Sequence, residues 1–175
     1  MPGSAEVALL ASVRAIVARD LAALRREVEA YGDDDGPWRA LPGLANGGGT
    51  LVLHLCGNLR HFIGARLGGS GYVRDREAEF RDRDLPRVAL LERIDTAARE
   101  VDAALAALDP ARVGAPFPDA VGGVRLATGD FLVHLATHLT YHLGQADAHR
   151  RVVTGSAAAV GALALPSLAS ARLAD

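Results

Sequence analysis

The stretch Phe131-Leu-Val-His-Leu-Ala-Thr-His-Leu-Thr-Tyr-His-Leu-Gly-Gln-Ala-Asp-Ala-His-Arg-Arg151 decides how this chain is read. It holds four of the six histidines, at 134, 138, 142 and 149. On an α-helix each residue advances about 100°, so steps of four and seven return to one face. His134, His138, His142, Gln145 and His149 therefore form a stripe within roughly 80° of arc. Leu132, Leu135, Leu139 and Leu143 supply apolar surface beside it. Imidazole is a poor helix filler and is costly to bury unless its ring nitrogens find partners. A single histidine on such a face reads as a hydrogen-bonded wall residue. A His-x-x-x-His pair, joined by a histidine from another apolar helix, reads as a metal site. His134 and His142 are roughly 12 Å apart along the axis, so only one adjacent pair can share an ion.

Outward from this stretch, the whole chain sets limits. Its 175 residues suit one domain, 1–175, large enough for a real core. Half the residues are apolar but only 5% are aromatic, so the core must be mostly Leu, Val and Ala, a helical composition. A formal charge of −2 gives no case for nucleic-acid binding. Lysine is absent, and all 19 basic residues are arginine. Cys56 is the only cysteine, which excludes an intrachain disulfide and a Cys-rich zinc site. No basic-then-apolar leader opens the chain and no apolar run reaches membrane-spanning length, so a cytoplasmic protein with no membrane partner is expected.

Apolar periodicity predicts four long helices, over about 4–30, 50–67, 86–108 and 128–152. Ser4 and Thr128 are the expected caps of the first and last. The acidic run Asp33-Asp34-Asp35 reads as a solvated turn, and Trp38 is expected to fold back onto the bundle. On the second helix, Leu51, His54, Asn58, His61 and Phe62 should face inward. Cys56 lies about 200° from His54 and reads as a buried filler. The connection 68–84 is too long for a tight turn and alternates charge signs. It reads as a salt-bridged, solvated loop, with the alternative that some of its arginines hold an anion over the pocket. The tail 156–175 is apolar and expected to pack on the bundle or on a second subunit. Long helices joined by long connections make an all-α four-helix bundle with at least one crossover.

Three stretches carry a resemblance: His54-Leu-Cys-Gly-Asn-Leu-Arg60, Arg74-Asp-Arg-Glu-Ala-Glu-Phe80, and His138-Leu-Thr-Tyr-His-Leu-Gly-Gln145. Together they resemble the DinB/YfiT-like superfamily, in its branch of small uncharacterised bacterial proteins. The His-x-x-Tyr-His-x-Gly-Gln element is the most specific of the three. The resemblance implies a metal-binding four-helix bundle, often dimeric. The ion would be held by one histidine of helix two and a His-x-x-x-His pair of helix four, here His54, His138 and His142. Many members have an arginine where this chain has Leu143. Characterised relatives include transferases of low-molecular-weight thiols and a thiol-dependent isomerase.

Two function classes follow. One is an enzyme that uses a divalent ion, zinc or nickel first and iron next, to transfer a thiol to a small electrophile or to hydrolyse it. In that reading Asn58 and Gln145 orient the bound group and His134 relays a proton. The other is a non-catalytic bundle that binds a small ligand or a structural ion tying helix two to helix four. A homodimer is expected in either case.

Overall fold

The computed structural model describes residues 3–172. Among them there is no β-strand; there are five helices and short single turns. The helices are α1 (Ser4–Glu29), α2 (Gly48–Leu59), α3 (Arg76–Arg81), α4 (Arg87–Ala107) and α5 (Thr128–Thr154). The four long ones are those the periodicity predicts, and α3 is an addition within the 68–84 connection. The segment Arg60–Ala65 prolongs α2 as a π-helical turn, seen in the bonds from Arg66 N to His61 O and from Gly68 N to Ile63 O, both 3.0 Å.

In cross-section, α1 packs against α4 and α5, and α2 packs against the same two. Thus α1 lies diagonal to α2, and α4 diagonal to α5. Both diagonal connections must cross an end of the bundle, which is why 30–47 and 108–127 are long. The core is aliphatic, built from residues such as Leu21, Leu24, Leu55, Leu59, Ile94 and Leu139, each at most 1% exposed. Phe62, Phe117 and Phe131 form an aromatic cluster at one end.

Two expected caps are corrected. Gly3 occupies the cap position of α1, and Ser4 is already helical without a side-chain cap. At α5 the cap position is Ala127, and Thr128 is the first helical residue. The orphan N–H groups there need no hydroxyl, because Thr128 N and Gly129 N donate to the carbonyls of Ala115 and Val113, each at 2.8 Å. The crossover itself caps the helix. Gly155, with φ +66°, ends it in the left-handed region.

The acidic turn is structural. Asp33 Oδ1 accepts from Gly36 N at 2.7 Å, and Asp34 Oδ1 accepts from Arg87 N at 2.9 Å, capping the start of α4. Trp38 does fold back: its ring lies over Gly49 and its Nε1–H donates to Leu85 O at 2.9 Å. The described part of the tail packs on its own chain. Arg26 donates to Val160 O, and Arg150, buried beside Glu27, donates to the carbonyls of Ser156 and Ala158. Residues 173–175 of the expected apolar tail lie outside the described residues.

Candidate metal centre

α2 and α5 are neighbours in the bundle, and their facing surfaces bring His54 together with His138 and His142. One ligand atom from each lies within 4.8 Å of the others. The rings stand edge to face: His54 to His138, 5.2 Å between centroids; His54 to His142, 5.4 Å; His138 to His142, 4.5 Å. His54 Nε2 and His138 Nε2 are 3.4 Å apart. Two ligands on a tetrahedral zinc, each at about 2.0–2.1 Å, are separated by about 3.3–3.4 Å. The spacing of this pair therefore fits a shared cation.

The outer nitrogens decide which atoms are offered. His54, 12% exposed, sets Nδ1 at 3.1 Å from Glu79 Oε2. The carboxylate is nearer to Nδ1 than is Arg74 Nη2, at 3.4 Å, and so favours Nδ1–H, leaving the Nε2 lone pair for the cluster. His142 Nδ1 is 2.6 Å from Gln145 Oε1, so this ring too donates outward and offers Nε2. His138 Nδ1 is buried without a partner among the described residues. Burial, then the neighbouring His142, His54, His134 and Arg74, pushes the His138 pKa down to about 4. It is therefore neutral near pH 7 and able to act as a ligand.

Glu79 is fixed in turn. It lies on α3, whose start is capped by Asp75 accepting from Ala78 N at 2.9 Å. Arg74 grips both its oxygens, Nε to Oε1 at 2.6 Å and Nη2 to Oε2 at 2.8 Å. Burial pushes the carboxyl up, but the hydrogen bonds from Arg74 and His54 outweigh it and hold it below its ordinary value. The carboxylate reaches this position because residue 57 is glycine. A Cβ there would lie 2.0 Å from Glu79 Oε1.

The other histidines and the expected helper residues lie around or away from the cluster. His134 is exposed and outside the cluster, stacked between Phe131 at 5.8 Å and His138 at 6.0 Å. Asn58 is buried, with Oδ1 lacking a partner among the described residues. Gln145 bonds His142, so it orients a ring of the cluster. His149 is fully buried elsewhere, between Tyr31 Oη at 2.6 Å and Arg39 O at 2.8 Å. His61 is half-buried against Phe62, with its pKa lowered by burial and by Arg74 and Arg66. Burial raises the Cys56 thiol to about 12, consistent with a filler that stays protonated.

The reading of 68–84 as a solvated loop is corrected at Glu79, which is buried and touches a cluster residue. Two signals pointed to it. Gly57 sits in a helix interior, where glycine costs about 1 kcal/mol and so needs a packing reason. It is also one turn from His54. Glu79 is itself flanked by the apolar Ala78 and Phe80.

A family model described as the DinB superfamily matches residues 49–146, more than half of the chain. That match spans α2, α3, α4 and most of α5, and so includes His54, Glu79, His138 and His142. No curated protein and no solved structure matches the chain.

Proposed function

The chain belongs to the DinB superfamily, and on that premise we propose that it is a divalent-metal enzyme transferring a low-molecular-weight thiol to a small electrophile. The observation that carries this reading is the cluster of three imidazoles with no fourth His, Cys, Asp or Glu joined to it among the described residues. Three protein ligands are the pattern of catalytic zinc sites, whereas structural sites close with four. A divalent ion held there supplies an exchangeable position and favours the deprotonated form of a bound thiol or water.

The chain's own residues do the rest. Glu79 and Gln145 hold His54 and His142 in the tautomers that present Nε2. Arg74 keeps Glu79 charged and in place. Phe80, 5.1 Å from the His54 ring, and Tyr141, 5.1 Å from the His142 ring, wall the cluster and suit the apolar part of a small electrophile. His134 stands at the exposed edge, stacked on His138, where an imidazole can take up the proton released by a thiol or water. Hydrolysis is the variant in which water takes the place of the thiol.

The apolar side chains left exposed near the end of α5 and in the tail, Val152, Leu163 and Leu165, support a homodimer as the working assembly. No described helix is long and apolar enough to cross a membrane.

The test uses cobalt-substituted protein purified without a polyhistidine tag. A thiolate-to-cobalt absorption band on adding a thiol, lost in His138→Ala, supports the reading. A spectrum unchanged by every thiol, with four protein ligands on the ion, refutes it and leaves a structural ion.

A further inference from the structure

The arginines of the 74–83 segment other than Arg76 are engaged by their own neighbours, two of them by carboxylates and Arg83 by a backbone carbonyl. Arg74 is bidentate on Glu79, Arg81 pairs with Asp82, and Arg83 donates to the Asp82 carbonyl. Arg76 differs. Among the described residues it has no ion-pair partner and no hydrogen-bond acceptor, and its contact is with an aromatic face: its Cζ lies 5.1 Å from the centroid of Phe80. The Phe80 centroid is in turn 5.1 Å from that of His54, so the free guanidinium lies within about 10 Å of a cluster ring.

An arginine stacked on a ring is held in orientation while its planar edge of N–H donors stays open, the geometry that takes a carboxylate in bidentate fashion. Arg76, Glu77, Phe80 and Arg81 line a shallow open depression there, and with Arg81 paired to Asp82, Arg76 is the guanidinium left without an ion pair among these residues. Phe80 is shared: it stacks under Arg76 and walls His54. An extended small molecule passing Phe80 would have one end at the imidazole cluster and the other at Arg76.

We propose that Arg76 anchors a carboxylate on the molecule that binds at the cluster, so that the preferred thiol is an anionic one with its carboxylate several bonds from the sulfur. This rests on the thiol-binding reading above, and the test separates the two. The probes are mercaptohexanoate and mercaptohexanol, equal in chain length and differing in charge, titrated into the cobalt-loaded protein. At low ionic strength the carboxylate should give about five- to tenfold tighter binding, as for a charge-assisted bond at a partly open site. Because Arg76 is exposed, the preference should shrink as salt shortens the Debye length to about 8 Å. Arg76→Ala, a surface change that leaves the core untouched, should bind the two thiols equally, and Arg76→Lys should keep part of the preference. Equal affinities in the wild type, or a preference that survives in Arg76→Ala, overturn the anchor while leaving thiol binding intact. If neither thiol gives the absorption band, the thiol-binding reading fails and the anchor falls with it.

Discussion

Replacing Gly57 by alanine probes the link between the helix-two backbone and the imidazole cluster. The added Cβ would lie 2.0 Å from Glu79 Oε1 and 2.7 Å from its Cδ. Non-bonded heavy atoms settle at about 3.5 Å, so the carboxylate must retreat by about 1.5 Å. That stretches the 3.1 Å contact to His54 Nδ1 out of hydrogen-bond range. His54 then loses the partner that fixes its tautomer. Losing such an outer partner weakens metal binding by about 10- to 100-fold, or about 1.4–2.7 kcal/mol. The metal-free protein should change much less. Alanine favours the helix by about 0.8–1 kcal/mol over glycine, which offsets part of the strain at a flexible carboxylate end. Zinc affinity is measured by competition with a chromophoric chelator, beside a thermal melt of the apo form, for wild type, Gly57→Ala and Glu79→Gln. Gln keeps the shape and loses the charge, so it should fall between the other two. Wild-type affinity in both variants would refute the role given to Glu79.

Two further predictions concern the metal-free protein. The His138 pKa is pushed down to about 4, against about 6.5 in an unfolded chain. The unfolded state therefore binds more protons between these values, so stability is full above about pH 6.5 and declines as pH falls towards 4. The urea midpoint should drop between pH 7 and pH 5, and less so in His138→Gln; an equal drop in both would disprove the assignment to His138. Arg150→Met should leave Glu27, 1% exposed, as a buried carboxyl without its cation, and strip the donors from Ser156 O and Ala158 O. Breaking such a buried pair costs about 3–5 kcal/mol, a fall in Tm on the order of 10 °C, with faster proteolysis in 156–161. An unchanged melt would contradict the role of this ion pair in holding the tail.

The four long helices were legible because each carries a 3.6-residue apolar stripe, and the expected bounds lie within a residue or two of the ends of α1, α4 and α5, whereas α2, expected over 50–67, is α-helical only over Gly48–Leu59. The caps were less legible. Ser4 and Thr128 are good capping types, yet backbone carbonyls of the crossover, 113 and 115, satisfy the first N–H groups of α5. Local sequence does not reveal such tertiary partners. The π turn at Arg60–Ala65 was also invisible, since one extra residue per turn leaves the apolar pattern almost unchanged. In the candidate site, spacing left open whether His138 pairs with His134 or His142. The fold sets His142 with it, because α2 crosses α5 where His54 meets that pair. Gln145 was visible on the correct face, while its bond to His142 was not. Glu79 was hidden in an alternating-charge segment whose composition reads as solvated, and only the glycine at 57 and the apolar flanks Ala78 and Phe80 betrayed the close approach.

The proposed centre is one divalent ion shared by His54, His138 and His142. Anomalous scattering from crystals of tag-free, metal-loaded protein tests it most directly. A single site is expected, bonded to Nε2 of His54 and His142 and to a ring nitrogen of His138, with no fourth ligand from the chain. An ion bound through His134, or enclosed by four protein ligands, would contradict it.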